Sequence, residues 1–114
     1  MNTYLQAQRL LTQIEVELKR LSLWQITPPS AVALASTAPF CIDTMPFTHW
    51  LQFIFLVKMQ QLLALKMPLP ENMAIHPMAE EALLHLPADT RQLSQLILSF
   101  DHLINTDLNI RVKY

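Results

Sequence analysis

The alternation of apolar and polar residues along the chain predicts four helices separated by prolines. Eight prolines divide the 114 residues, and apolar residues recur every three to four positions between them. This spacing places apolar side chains on one helix face, where they can pack into a core. The predicted helices span residues 3–24, 46–66, 77–86 and 88–106.

The first and last helices have the clearest amphipathic pattern. The apolar stripe of the first comprises Tyr4, Ala7, Leu10, Leu11, Ile14, Leu18, Leu21 and Trp24. The predicted buried residues of the last are Leu93, Leu96, Ile97, Phe100, Leu103 and Ile104. Because charged residues are rarely buried without a partner, we expect Glu15, Glu17 and Asp101 to face solvent.

The second helix is apolar around almost its whole circumference between residues 50 and 57. That pattern predicts a central helix, or one partly covered by another molecule. We expect it to start near Asp43 or Thr44, whose side-chain oxygens can accept hydrogen bonds from first-turn N–H groups. Pro46 is tolerated in such a first turn.

The segments outside the predicted helices each have a different interpretation. Residues 30–36 form either one helical turn or an irregular segment, whereas residues 68–76 form an ordered connection that docks on the core. The tail 107–114 alternates apolar and polar residues, a strand-like period. It is either a flexible or loosely docked end, or a segment that pairs with the tail of another copy.

The sequence contains no glycine, which favours helices over sandwiches and barrels that need glycine at tight turns. The predicted fold class is all-α: a compact antiparallel bundle of about four helices with proline-rich connections, forming one domain over residues 1–114. The same absence excludes glycine-rich phosphate loops and dinucleotide-binding fingerprints.

Charge and hydrophobicity bear on the partners. The eight basic residues are scattered and the net charge is −1, so no direct nucleic-acid binding is expected. With 52% hydrophobic and 15% charged residues, enough apolar surface remains for a protein partner or self-association. The longest apolar run is far shorter than the roughly 20 residues of a membrane span. The N-terminal residues lack a signal-peptide pattern, which predicts a cytoplasmic protein.

No catalytic constellation is recognisable. His49, His76, His85 and His102 lack the spacings typical of metal ligands, so no metal site and no cofactor are predicted. Cys41 cannot form an internal disulfide, and a lone cysteine among apolar residues is usually a packing residue. We therefore interpret the chain as a non-enzymatic protein.

The segment 36–56 contains the candidate binding residues, because aromatic groups, prolines and cap-forming residues are concentrated there. Asp43 is either a helix cap or a polar anchor in an apolar pocket formed with Phe40 and Trp50. Gln52 is either the exposed position of its helix or a buried polar group at an interface. The full candidate set is Phe40, Asp43, Thr44, Met45, Trp50, Gln52 and Phe53.

Four motifs carry a resemblance to a known family. They are Ser36-Thr37-x-Pro39-Phe40-x-x-Asp43-Thr44-Met45, Trp50-Leu51-Gln52, Pro68-Leu69-Pro70 and Ile75-x-Pro77. With them the chain resembles the YqcC-like family of small bacterial proteins over nearly its whole length. The resemblance implies a compact helical bundle and no established activity. The sequence departs from the family pattern in its tail after Asn105 and at Phe53, where the family often has a tryptophan.

Family members are often encoded beside a tRNA pseudouridine synthase. The chain itself has no Arg-Leu-Asp motif of the kind such synthases use. The resemblance therefore implies at most an accessory role near RNA modification. Three hypotheses follow: a protein-interaction or homo-oligomerisation module, a bundle that binds a small apolar molecule or lipid, and an accessory factor in tRNA pseudouridine modification.

Overall fold

The fold is all-α, as the sequence predicts, in a computed structural model that describes residues 3–69 and 73–106. The predicted tail 107–114 lies outside the described residues. The described helices are α1 (Thr3–Arg20), α2 (Ala31–Leu34), a 3₁₀ turn (Pro39–Cys41), α3 (Phe47–Trp50), a π-helical segment (Leu51–Leu56), α4 (Val57–Ala64), α5 (His76–Leu83) and α6 (Arg91–Thr106). We refer to α3, the π-helical segment and α4 together as the central helix, because they follow one another without interruption.

The core forms where α1 packs against α6 and against the central helix, while α5 packs against α6. The predicted stripe of α1 is confirmed, with Ala7, Leu11, Ile14 and Leu18 all fully buried. The apolar face of α6 meets it through Leu93, Ile97, Phe100 and Ile104. The two helices run antiparallel: Arg20 and Arg91 border one cleft, and Gln6 and Thr106 border another.

The first helix ends at Arg20, four residues before the predicted end. Ser22 takes a left-handed backbone conformation with φ of 61°, its N–H donates to the Lys19 carbonyl, and the Leu23 N–H donates to the Leu18 carbonyl. This pair of hydrogen bonds is a Schellman motif, which closes a helix and usually has glycine at the left-handed position. Without a glycine to mark it, the stop was not visible in the sequence.

We expect Ser22→Gly to stabilise the protein, because glycine removes the steric cost of the left-handed conformation, about 1 kcal/mol for an L-residue. Urea denaturation followed by circular dichroism should give a higher free energy of unfolding. Ser99→Gly, at an exposed position within α6, is the matched control and should lower it by a similar amount. An unchanged or lowered stability for Ser22→Gly would contradict the assignment.

The central helix begins at Phe47 and ends at Ala64, inside the predicted 46–66. Pro46 occupies the N-cap position and no side chain caps the first turn, so neither Asp43 nor Thr44 has the predicted capping role. At the other end Lys66 is left-handed with φ of 53°, and the same two-bond closure recurs there. Leu51, Phe55 and Leu56 are buried, whereas Val57 is 46% exposed, so the helix is not covered on all sides.

The remaining helices are also shorter than predicted. Helix α5 begins at His76 and ends at Leu83, against a predicted 77–86, and α6 begins at Arg91 rather than 88. The start of α6 is delayed because the Asp89 carboxylate accepts from the Arg91 backbone N–H at 3.1 Å and pairs with its guanidinium. The Arg91 hydrogen bonds lower the pKa of Asp89 to about 2. Residues 31–34 form the single helical turn that the sequence left undecided, with the Ser30 hydroxyl accepting from the Ala33 N–H.

Two acidic side chains expected in solvent are buried. Glu17 is 6% exposed and accepts from the Arg20 Nε at 2.9 Å, a bond that lowers its pKa. Asp101 is also 6% exposed, and its Oδ2 accepts from the backbone N–H groups of Ile75 and His76 at 2.8 and 2.7 Å. Burial raises the pKa of Asp101, and the two N–H groups oppose that shift. Asp101 thus ties α6 to the start of α5.

Two side-chain amides hold other connections in the same way. Gln52, on the central helix, accepts from the Gln25 N–H and donates to the Gln25 carbonyl, both at 2.9 Å. Asn105, on α6, accepts from the Met73 N–H at 2.7 Å and donates to its carbonyl at 2.6 Å. Each amide satisfies a backbone pair that no helix or sheet serves. We call the Gln52, Asn105 and Asp101 contacts the three clamps.

Candidate functional site

The segment between α2 and α3 contains an unusual turn. Phe40 and Cys41 both have positive φ, at 57° and 51°, while the Cys41 N–H donates to the Ala38 carbonyl and the Ile42 N–H to the Pro39 carbonyl. Residues with side chains pay a steric cost in this region, so two in succession persist only where the surroundings hold them. The turn fixes the direction of the Phe40 side chain.

Side chains of the same segment hold the turn in place. The Ser36 hydroxyl donates to Asp43 Oδ1 and accepts from the Ala38 N–H. The Thr44 hydroxyl is within 2.8 Å of the Ala33 carbonyl, to which it donates, and so ties the segment to α2. Asp43 and Thr44 therefore shape the crossing rather than cap the helix that follows.

An aromatic cluster connects this turn to the core. The Phe40 ring contacts Trp50 edge-on with centroids 4.7 Å apart, and Trp50 stacks on Phe47 at 5.8 Å and on Phe55 at 5.7 Å. Phe55 in turn meets the fully buried Phe100 at 5.3 Å. Ring contacts thus run without a break from the turn to the centre of the molecule.

An apolar pocket of about 250 Å³ opens beside this cluster, between the turn, the start of the central helix and α5. Its described lining residues carry no charge: Phe40, Ile42, Met45, Pro46, Phe47, Met78 and Ala82. Of these lining residues, Met45 and Phe47 are buried, whereas Ile42 is 59% exposed. We call this cavity the Phe40 pocket.

The structure brings together only part of the predicted site. Phe40 and Met45 line the pocket, and Trp50 does not line it but contacts the Phe40 ring. Asp43 and Thr44 lie in the adjoining segment and are exposed. Gln52 is buried as a clamp on Gln25 and does not line the pocket.

Phe53 also lies apart from the pocket, and its ring meets His49 at 6.5 Å. Sequence reasoning missed the contribution of α5 to the site. Met78 and Ala82 both line the pocket. Because they are four residues apart, the sequence predicts that they share one face of a helix. It does not indicate which part of the protein that face contacts.

Two cavities larger than the Phe40 pocket also lie on the described surface. A groove of about 580 Å³ between α1 and α6 is bordered by Leu10, Leu98 and Leu103 together with four polar residues. A cleft of about 380 Å³ is lined by polar and charged groups, including the Asp89–Arg91 pair. Neither includes a residue of the predicted site.

The described part of the chain contains no group of three or more His, Cys, Asp or Glu side chains placed to hold a metal ion. Within residues 3–69 and 73–106, no helix has both the length and the apolar character that crossing a bilayer requires.

Comparison with known proteins identifies relatives over most of the chain. Residues 6–103 match the family model DUF446, described as tRNA pseudouridine synthase C. An uncharacterised protein of Haemophilus influenzae is 37% identical over 102 residues, covering 90% of this chain and 95% of that protein. The solution NMR structure of protein YqcC from E. coli superposes with a TM-score of 0.84 at 29% identity, covering 100% of this chain and 97% of that one.

A further relative is named as an enzyme. A protein of Pectobacterium carotovorum named tRNA pseudouridine synthase C is 40% identical over 67 residues. The match covers 59% of this chain but 18% of that protein. The shared segment is therefore a minor part of the larger protein.

Proposed function

The chain belongs to the DUF446 family of YqcC-like proteins, and from that premise we propose that it is a non-enzymatic protein-interaction module. The proposed contact is the Phe40 pocket, which receives one apolar side chain of a partner. The observation that carries this proposal is an uncharged pocket on an exposed face, built on a turn with two strained residues.

The size of the pocket favours a partner side chain over a whole small molecule. Pockets that enclose drug-sized ligands typically have volumes of about 300–1,000 Å³, and the Phe40 pocket is smaller and bordered by an exposed residue. Protein interfaces, by contrast, concentrate affinity in one or a few anchor side chains that fill such pockets. At this pocket, the small-molecule and lipid hypothesis is correspondingly less well supported.

Apolar surface beside the pocket extends the proposed contact. Ile42, which lines the pocket, is 59% exposed, and Val32 is 82% exposed on α2, which Thr44 ties to the same segment. Because exposed apolar side chains that cluster are typical of interaction sites, we include both residues in the proposed contact. A partner that fills the pocket can cover both side chains.

Ala82→Leu tests the proposal, because the larger side chain fills the pocket without changing charge. The chain is immobilised, exposed to lysate of the cells that encode it, and the retained proteins are identified and quantified by mass spectrometry. We expect at least one identified protein to be retained about tenfold less well, equivalent to about 1.4 kcal/mol of binding free energy.

Ala64→Leu is the matched control, since Ala64 is exposed on α4 and does not line the pocket. It should retain the same proteins as the unaltered chain. Equal retention by Ala82→Leu and the unaltered chain would rule out the pocket as the contact. Sedimentation of the purified chain and of Ala82→Leu reveals whether the partner is a second copy.

A second candidate function is accessory to tRNA pseudouridine modification. It is favoured by the Pectobacterium carotovorum protein, in which a similar segment occurs within a chain named tRNA pseudouridine synthase C. A module that is joined covalently to an enzyme in one protein is a candidate to bind that enzyme when the two are separate. The same quantification tests it: the synthase must be among the proteins whose retention Ala82→Leu reduces.

A further inference from the structure

The charges around the Phe40 pocket indicate the chemistry of its occupant, an inference that rests on the proposed function. Asp43 lies between two residues that line the pocket, Ile42 and Met45. Glu81 lies on α5, three residues after Met78 and directly before Ala82. Because residues three apart neighbour each other on a helix surface, Glu81 flanks the face that lines the pocket. Both side chains are exposed.

These carboxylates differ from the other acidic groups of residues 3–69 and 73–106. Glu15, Glu17 and Asp89 each form an ion pair with a Lys or Arg side chain, Glu80 lies 3.9 Å from the His76 ring, and Asp101 is buried as a clamp. Within those ranges no ion pair involves Asp43 or Glu81. Asp43 accepts a hydrogen bond from the Ser36 hydroxyl, which leaves its charge in place.

Asp43 and Glu81 place two negative charges beside an uncharged apolar pocket, and these charges affect which partners can bind there. At an interface, opposite charges steer association and set specificity, and like charges in contact oppose it. The phosphates of a nucleic acid would be repelled here, whereas Lys or Arg side chains would be attracted.

We propose that the Phe40 pocket binds a basic protein segment, in which one large apolar side chain enters the pocket and flanking Lys or Arg residues meet Asp43 and Glu81. The apolar anchor supplies affinity, and the basic flanks distinguish this segment from other exposed apolar sequences. The occupant is thus a cationic segment of a partner protein. It is neither RNA nor a second copy of this chain, whose pocket is itself flanked by Asp43 and Glu81.

Selection from a phage-displayed library of random short peptides tests the inference on the full chain. In parallel, the library is selected against Ala82→Leu, Glu81→Lys and the double variant Asp43→Lys/Glu81→Lys. We expect the unaltered chain to enrich peptides with a Leu, Met or aromatic anchor flanked by Lys or Arg. The double variant should enrich the same anchors flanked by Asp or Glu, and Ala82→Leu should enrich neither.

The most enriched peptide is then measured by fluorescence polarisation. Glu81→Lys should weaken its binding about tenfold, and added salt should weaken binding to the unaltered chain. Glu80→Lys is the matched control, because Glu80 is the preceding residue on α5, carries the same charge and lies 3.9 Å from the His76 ring rather than among the residues that line the pocket. It should leave the affinity nearly unchanged.

The outcomes separate this inference from the function on which it rests. Anchors enriched without basic flanks, or flanks that stay the same in the double variant, would overturn the charge assignment and leave the interaction module standing. No enrichment beyond that of Ala82→Leu would overturn both. If the chain dimerises and Ala82→Leu abolishes the dimer, the occupant is a second copy and the inference is wrong.

Discussion

Asp101→Ala is expected to lower the free energy of unfolding by about 2–3 kcal/mol, because it leaves two buried backbone donors without an acceptor. Asp101 Oδ2 accepts from the Ile75 and His76 N–H groups, which begin α5 and which no other residue of the described chain is seen to serve. Urea denaturation followed by circular dichroism measures the loss. Ser99→Ala, at an exposed position of the same helix, should change stability by less than about 0.5 kcal/mol.

The loss of unfolding free energy in Asp101→Ala should depend on pH. Burial raises the folded-state pKa of Asp101 above its ordinary value, so the folded protein holds this proton to higher pH than the unfolded chain does. The stability from that difference is fully present below the unfolded pKa of about 3.9 and disappears as pH rises through the folded pKa. The difference between the unaltered protein and Asp101→Ala should therefore be larger at acidic pH than at neutral pH. A difference that shrinks on acidification would contradict the raised pKa.

Gln52→Leu is expected to lower the free energy of unfolding by about 2 kcal/mol, since it removes two hydrogen bonds while keeping most of the side-chain volume. Gln52 is 5% exposed, and both of its bonds go to the backbone of Gln25, in the connection after α1. Denaturation in urea gives the total loss, and hydrogen exchange of the Gln25 amide locates it.

Gln60→Leu is the control, because Gln60 is exposed on the same helix and has no comparable partner among the described residues. It should be close to neutral in stability, and the Gln25 amide should exchange at its original rate. If Gln52→Leu were as stable as the unaltered protein, the two hydrogen bonds to Gln25 would contribute nothing beyond what an apolar contact supplies, and Gln52 would not be a clamp.

The helices could be predicted because their apolar residues repeat with helical spacing and burial follows that spacing. Leu11, Ile14 and Leu18 are buried as predicted, as are Leu93, Ile97 and Phe100. The ends of the helices could be predicted less accurately. Ser22 and Lys66 close their helices in a left-handed conformation that the sequence signals only when glycine or asparagine occupies it.

The burial of two acidic residues could not be predicted either. Asp101 follows Phe100 and is four residues after Ile97, so it borders the apolar stripe of α6, where its chemistry alone predicts exposure. Its burial depends on two N–H groups about 25 residues earlier in the chain, and no local pattern encodes that distance. The prediction for Glu17 was wrong for a different, local reason: Glu17 directly precedes the buried Leu18, and Arg20, three residues later, pairs with its carboxylate.

The candidate site was predicted in part. Phe40 and Met45 were identified from the density of aromatic and apolar groups in their segment, and both line the pocket. Met78 and Ala82 complete it from α5, which packs there only in the folded chain. Gln52 was assigned to a binding surface because buried amides need partners, and its partner proved to be the backbone of Gln25.

The aromatic cluster has a practical consequence for detecting the partner. Trp50 is one of two tryptophans, and the centroid of its ring lies 4.7 Å from that of Phe40, one of the residues that line the pocket. A side chain that enters the pocket displaces water next to Phe40 and thereby alters the surroundings of an intrinsic fluorophore. With Trp24 replaced by phenylalanine, the emission of Trp50 alone reports occupancy, so binding can be titrated in solution without a label.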